Sequence, residues 1–254
     1  MTSPLDSSLQ LAERTGAHAR VATVVAREHL SPSLVQVTLE GDVEALAGQP
    51  GQDVMVLVDS SKPSLRRRYS VRRTNVESQT LDLWIQTTHD GPGAAWALDA
   101  PFGSTVDLVG PRGKIFLDPM ADWHLFVGGV SALGAFYSLA ESIETPGRAL
   151  FVVELDDPAD ALTPSVDSEL GVTGVFVDRA EREQRDPAGL LAALSSLDLP
   201  PDEGHAYVFA EFYVTRALRT ALLDRGLAES AISHKAYFRS GIANREQGEP
   251  IKDA

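Results

Sequence analysis

The sequence of 254 residues contains no cysteine. The chain therefore cannot form a disulfide, use a thiol as a nucleophile, or bind zinc or an iron–sulfur cluster through thiolates. Its histidines stand singly, with no His-x-His or His-x-x-x-His spacing, so the sequence predicts no metal site. Redox chemistry in such a chain requires an organic cofactor supplied from outside.

Long apolar runs and an excess of positive charge are also missing. No stretch approaches the roughly 18 apolar residues that span a bilayer, and residues 1–16 lack the apolar core of a secretory signal. We therefore expect a cytoplasmic protein without membrane insertion. The 22 Lys and Arg are outnumbered by 36 Asp and Glu, which gives a net charge of −14. This balance disfavours nucleic-acid binding, which needs a basic surface; the oligomeric state is left open.

Short alternating apolar runs, separated by turns rich in Gly and Pro, fill the first half of the chain. Six such runs with no long helix predict a small antiparallel β-barrel over 18–119, after a flexible leader over 1–17. The predicted strands cover residues 21–27, 34–39, 53–58, 69–73, 81–87 and 105–109.

From about residue 120 onward, strand patterns alternate with helical ones. This alternation predicts a parallel α/β sheet domain over 120–245, followed by a tail at 246–254. The predicted strands are 123–127, 149–155, 172–177, 206–210 and 232–238, and the predicted helices are 131–143, 188–197 and 215–225.

Five arginines of this acidic chain are concentrated in residues 66–73, around Tyr69, Ser70 and Val71. Holding so many like charges together is unfavourable unless an anion lies among them, and guanidinium groups bind phosphate through paired hydrogen bonds. Tyr69 adds a flat face on which an aromatic ring can stack. The segment predicts a ligand with both phosphate and aromatic parts; a solvated basic edge strand is the alternative.

The stretch 91–97, Gly-Pro-Gly-Ala-Ala-Trp-Ala, has the pattern of a helix start. Free backbone N–H groups and the helix dipole would favour a pyrophosphate there, and small residues permit close approach. An ordinary short helix with Trp96 in the core is the alternative, and His89 could simply end a strand.

The order of these segments resembles the ferredoxin–NADP reductase superfamily, and most closely the siderophore-interacting protein family of flavin-dependent ferric-siderophore reductases. Residues 67–72, 89–97, 110–113, the strand–helix junction from Trp123 and residues 237–241 carry the resemblance. It implies that the barrel binds FAD, that the α/β domain receives NADPH or NADH, and that a ferric siderophore is the substrate.

The resemblance also implies roles for individual residues. Arg67 and Arg72 would contact the phosphate region of the flavin, Tyr69 would flank the isoalloxazine, and Ser70 with the Val71 backbone would hydrogen-bond the ring edge. The other implied cofactor contacts are His89, Gly91, Gly93, Ala94, Ala95, Trp96, Tyr237 and Phe238. Positive charge for an anionic siderophore would come from candidates that include Lys62, Arg112, Lys114, Lys235 and Arg239.

Two segments of the α/β domain depart from the family pattern. Residues 128–135 read Gly-Gly-Val-Ser-Ala-Leu-Gly-Ala, without the family's acidic pair, and the loop after strand 206–210 lacks a Gly and carries Phe212 and Tyr213. The alternative function is therefore a diverted biosynthetic flavoenzyme with a degenerate NAD(P)H site, in which Phe212 and Tyr213 contact a small molecule. A non-enzymatic binding module is a third hypothesis. Ser131 lacks a Gly-x-Ser-x-Gly setting, so no motif indicates a hydrolase.

Overall fold

The computed structural model describes residues 4–43, 49–62, 65–144, 149–162 and 173–241. The chain divides into two compact units, Met1–Phe116 and Leu117–Ala254. The predicted tail at 246–254 and the first residue of the strand predicted at 172–177 lie outside the described residues. No helix in the described ranges is long and apolar enough to cross a membrane.

The first unit contains a closed barrel of six antiparallel strands in the order β1-β2-β5-β4-β3-β6, which confirms the predicted fold. Every second side chain points inward, and together these form one apolar core that includes Val24, Val37, Val54, Leu83 and Leu108. The strands are β1 (His18–His29), β2 (Leu34–Gly41), β3 (Asp53–Leu57), β4 (Arg66–Asn75), β5 (Thr80–Gln86) and β6 (Thr105–Arg112).

Helix α1 (Pro4–Thr15) lies where the sequence predicts a flexible leader. Ala12 packs with Met55 and Val109 on the barrel, and the buried Ser8 hydroxyl donates to Asp107 at 2.9 Å. A narrow stripe of small residues is enough to pack a short helix against a sheet. The mostly polar composition of this segment therefore did not predict a helix.

The second unit is a parallel five-stranded sheet in the order β11-β10-β7-β8-β9, and this confirms the predicted α/β architecture. Gly128 of β7 fits tightly against β10, because a Cβ there would lie 1.9 Å from the carbonyl oxygen of Phe209. The strands are β7 (Trp123–Gly129), β8 (Ala149–Leu155), β9 (Thr173–Asp178), β10 (Gly204–Glu211) and β11 (Ile232–Phe238).

Helices lie between several of these parallel strands. The predicted helix at 131–143 is shorter than expected: a 3-10 turn (Val130–Ala132) precedes α3 (Leu133–Ala140), whose residues are all buried. The other helices of the two units are α2 (Pro92–Asp99) in the barrel and α4 (Ala188–Ser196) and α5 (Phe212–Asp224) in the sheet unit. Because the strands of the sheet are parallel, their carboxyl ends share one edge and their amino ends the other.

Candidate functional site

Strand β4 and the first turn of α2 meet at Gly93. A Cβ at this buried position would lie 2.4 Å from the hydroxyl oxygen of Tyr69 and 3.1 Å from Cγ of Arg67. No side chain larger than hydrogen fits there without displacing Tyr69. Glycine therefore brings the helix start directly against the two residues of β4 that the sequence predicts to bind a cofactor.

Arg67 and Tyr69 share one face of β4. They pair in the ladder with Val56 and Val54 of β3, which belong to the barrel core. The Tyr69 ring stacks on Trp96 of α2, with centroids 6.1 Å apart and planes 18° from parallel. Burial raises the pKa of the Tyr69 phenol, while Arg67 opposes the shift, so the hydroxyl stays protonated and can donate a hydrogen bond.

The N-terminus of α2 has no side-chain cap. Gly91 is the N-cap, Pro92 follows it, and the first helical bond runs from the Ala95 N–H to the Gly91 carbonyl at 3.0 Å. The N–H groups of Gly93 and Ala94 precede that bond, where a helix offers no intrahelical acceptor. With Arg67 beside them, these donors form a setting suited to a phosphate group.

Arg27 of β1 holds the other end of α2, a contact that sequence reasoning missed. Its guanidinium donates to the carbonyl oxygens of Ala97 (2.6 Å) and Ala100 (2.5 Å) and lies over the Phe102 ring at 5.3 Å. A cation at a helix C-terminus satisfies its last carbonyls and opposes the negative end of the dipole. Arg27 therefore fixes the position of the helix that carries Gly93.

Protein groups already contact Arg66 and Arg68. Arg68 makes two hydrogen bonds to the buried carboxylate of Asp53, at 3.0 and 2.7 Å. Arg66 donates to the Ser8 hydroxyl at 2.8 Å, and Ser8 in turn donates to Asp107. Carboxylates of the barrel therefore neutralise part of the charge of this segment, and a bound phosphate among the arginines stays a prediction.

Three further predicted positions of β4 have protein partners. The Val71 N–H donates to the Gln52 carbonyl at 3.0 Å. Arg72 is buried, with its guanidinium 4.9 Å from the centre of the Trp84 ring. Ser70 is half-buried and pairs in the ladder with Asp53. The roles of Ser70, Val71 and Arg72 toward a cofactor stay predictions.

His89, Lys62 and Lys114 lie in loops of the first unit. His89 is half-buried in the loop before α2, with Nδ1 3.4 Å from the Thr88 hydroxyl. Lys114 is exposed, and Lys62 forms an ion pair with Asp59 at 3.2 Å. Lys62 therefore has a local partner, and the role of Lys114 toward an anionic substrate stays a prediction.

In the second unit, the side chain of Glu211 caps the N-terminus of α5. Glu211 is buried and accepts from the backbone N–H groups of Tyr213 (2.5 Å) and Val214 (3.4 Å) through one oxygen. Its other oxygen accepts from the Ser240 N–H at 3.1 Å. The positive end of this helix is thereby satisfied internally.

The predicted residues Phe212, Tyr213 and Arg239 come together at this corner. Arg239 donates to the Tyr213 hydroxyl at 2.6 Å, and its guanidinium lies 5.0 Å from the Phe212 ring centre and 5.2 Å from that of Tyr213. Tyr237 stacks on Phe209 with centroids 5.5 Å apart, and Phe238 is half-buried at the end of β11. These residues form an aromatic and cationic cluster at the carboxyl edge of the sheet.

An ion-pair network follows the next strands at the same edge, and sequence reasoning did not find it. Glu154 of β8 accepts from Arg179 at 2.9 Å and from Arg182 at 3.1 Å, and Arg179 also contacts Asp156. Arg179 approaches the turn after β7, 3.9 Å from the position of a Cβ at Gly129. Its partners are far apart in sequence, so no local motif marks them.

Two family models match the chain. One, described as a siderophore-interacting FAD-binding domain, covers residues 44–115, and the other, described as a siderophore-interacting protein, covers residues 121–241. The chain belongs to the siderophore-interacting protein family. Residues 44–115, which include β4 and α2, match the FAD-binding domain of this family, and FAD is the cofactor.

Individual relatives agree with this assignment. The ferric vibriobactin reductase ViuB of Vibrio cholerae serotype O1 is 29% identical over 167 residues, which cover 56% of this chain and 61% of ViuB. A siderophore utilization protein from T. fusca superposes with a TM-score of 0.80 at 22% identity, over 90% of this chain and 95% of the other. The ferredoxin reductase in carbazole 1,9a-dioxygenase gives 0.70 at 20% identity, covering 87% and 70%. These two structures show a ferredoxin-reductase type of fold.

Proposed function

We propose that the protein is an FAD-dependent oxidoreductase that reduces a ferric siderophore with electrons from NADPH or NADH. The main structural support for FAD binding is the contact of Gly93 with Tyr69 and Arg67. It brings a helix N-terminus without a side-chain cap next to a cation and an aromatic ring. The likeness to a ferric vibriobactin reductase supports the substrate class.

The residues of the first unit fit FAD by their chemistry. Arg67 and the N–H groups at the start of α2 would hold the pyrophosphate, and Gly93 allows its close approach. Tyr69, backed by Trp96, would present its ring to the flavin. When bound, FAD would carry electrons from NADPH or NADH to ferric iron, and hard oxygen ligands hold the resulting ferrous iron less tightly.

Cations would attract the substrate, because many ferric siderophores are anionic. Lys114 is exposed in the first unit, and Arg239 lies in the second with Tyr237 and Phe238 preceding it. We assign substrate contacts to Lys114 and Arg239 and flavin-covering contacts to Tyr237 and Phe238. Iron reduction needs no general acid from the protein, so no catalytic side chain is assigned.

The Glu211 cap favours a second candidate function. A carboxylate at the N-terminus of α5 occupies the donors that a nucleotide phosphate would use and repels that phosphate. Arg239, Phe212 and Tyr213 also satisfy one another beside it. This corner suits a flavoenzyme diverted to a small-molecule substrate, with a degenerate NAD(P)H site.

One experiment separates the two candidates. The FAD-loaded protein is mixed anaerobically with NADPH or NADH, and the flavin absorbance at about 450 nm is followed. A ferric siderophore and a chelator that traps ferrous iron are then added. Bleaching followed by trapped ferrous iron is expected for the reductase. Absorbance that persists with both nucleotides, yet bleaches with dithionite, would favour the diverted enzyme. A protein that takes up no FAD would contradict both.

A further inference from the structure

A second cluster of polar side chains lies at the amino edge of the sheet in the second unit, opposite the Glu211 corner. Asp118 precedes β7, and His205 and Ser233 lie near the starts of β10 and β11. Oδ2 of Asp118 is 3.1 Å from Nδ1 of His205, and Nε2 of His205 is 2.9 Å from the Ser233 hydroxyl oxygen. The three side chains form one continuous hydrogen-bonded chain.

The proton positions in this chain follow from its chemistry. A hydrogen bond from the Met120 N–H lowers the pKa of Asp118, so its carboxylate is ionised and can only accept. Nδ1 of His205 therefore carries the proton. Burial lowers the pKa of His205, with Asp118 opposing the shift, so the ring is neutral at neutral pH and Nε2 accepts from the Ser233 O–H.

Neighbouring contacts hold the base in place, and the hydroxyl belongs to a half-buried residue. The His205 ring stacks on Tyr207 with centroids 4.8 Å apart, and the Tyr207 hydroxyl accepts from the Asp118 N–H at 2.7 Å. The His205 side chain is only 9% exposed. Ser233, by contrast, is half-buried on β11, which is an edge strand of the sheet. A buried base, oriented by a carboxylate and hydrogen-bonded to the hydroxyl of a half-buried serine, is the arrangement of an activated nucleophile.

We propose that Asp118, His205 and Ser233 form a nucleophilic site that cleaves small carboxylic esters, independently of the flavin. The Ser233 oxygen bonds to the ester carbonyl carbon while its proton passes to Nε2 of His205. His205 then protonates the departing alkoxide as the ester C–O bond breaks, which leaves an acyl-serine and an alcohol. Water, deprotonated by His205, releases the carboxylic acid and restores Ser233. Asp118 maintains the tautomer and balances the imidazolium charge.

Covalent labelling tests this proposal on the full FAD-loaded chain. A fluorophosphonate probe is expected to modify Ser233, identified by peptide mass spectrometry, and 4-nitrophenyl acetate is expected to be hydrolysed. Because members of such a triad act as a unit, Ser233→Ala and His205→Gln should each lower both rates by about 100-fold or more. The matched control is Ser195→Ala, which removes a hydroxyl that donates only to the Ala192 carbonyl at 2.8 Å and should change neither rate.

Either of two results would overturn the proposal: no probe on Ser233, or unchanged ester hydrolysis in Ser233→Ala. Loss of a single hydroxyl should leave FAD content and melting temperature near those of the parent, so Ser233→Ala decides the question even where His205→Gln fails to fold. Flavin reduction should be the same in Ser233→Ala and the parent chain. Failure of the ester reaction is therefore distinct from failure of the proposed reductase.

Discussion

Gly93→Ala should weaken FAD binding without unfolding the barrel. The new methyl group would lie 2.4 Å from the Tyr69 hydroxyl oxygen, whereas ordinary contacts begin near 3.4 Å, so about 1 Å of displacement is required. Overpacking of this kind costs about 1–3 kcal/mol. Since the flavin would contact Tyr69, this free-energy penalty should destabilise the FAD complex and raise the Kd for FAD by about 5- to 150-fold.

Gly93→Ala should leave the stability of the cofactor-free protein unchanged or raise it slightly. Alanine favours a helix over glycine by up to about 1 kcal/mol, and in the cofactor-free protein Tyr69 is free of the constraint that a bound ring would impose. We therefore expect the cofactor-free melting temperature to hold steady. The measurement is a titration of cofactor-free protein with FAD, followed by quenching of flavin fluorescence, together with thermal unfolding of the same sample.

Tyr69→Phe supplies the matched test, because it removes the oxygen that the methyl group would meet. The next atoms are Cγ of Arg67 at 3.1 Å and Cζ of Tyr69 at 3.6 Å, which small shifts can accommodate. In the Tyr69→Phe background, Gly93→Ala should therefore raise the Kd by only about threefold or less. An equal penalty in both backgrounds, or an unchanged Kd in Gly93→Ala alone, would refute the steric reasoning.

Three further outcomes are expected. Arg67→Ala combined with Tyr69→Ala should abolish flavin binding. Undiminished flavin absorbance at about 450 nm in the purified double variant would contradict the assignment of β4 to the cofactor site. Arg27→Gln should lower FAD affinity by about tenfold through loosening of α2, since hydrogen bonds from a charged donor contribute about 1.5–3 kcal/mol; equilibrium titration measures it, and unchanged affinity would count against it. Burial lowers the pKa of His124 to about 4 from 6.5, so between these values the unfolded state binds more protons and stability should fall as pH drops from 6.5 to 4. Melting temperatures across that range should decline less steeply in His124→Gln.

The barrel and the parallel sheet were predictable because their signals are local. Alternation of apolar residues marked all six barrel strands, and the alternation of strands with helices marked the sheet. Helix α1 was missed because its few contacts, such as Ala12 on Met55, need no long apolar stripe. Its position also depends on Ser8 and Asp107, which are far apart in sequence.

The candidate site was predictable only in part. Arg67, Tyr69 and Gly93 were found because the motif sets them on one strand and one helix start, and the structure brings them together. The pairing of Arg68 with Asp53 and the support from Arg27 depend on contacts between separate strands and helices. A count of arginines in a segment cannot reveal which of them the folded chain neutralises.

The N-termini of α2 and α5 differ in their capping, and this difference bears on FAD binding and on nucleotide binding separately. At α2, a glycine N-cap and a neighbouring arginine leave the positive end of the helix open to an anion from outside. At α5, the Glu211 carboxylate already accepts the N–H groups that such an anion would need. A phosphate at α5 would have to displace or lie beside the buried Glu211 carboxylate, whereas the first N–H groups of α2 have no side-chain cap. The same electrostatic reasoning therefore favours FAD retention by the barrel more strongly than nucleotide binding at the N-terminus of α5.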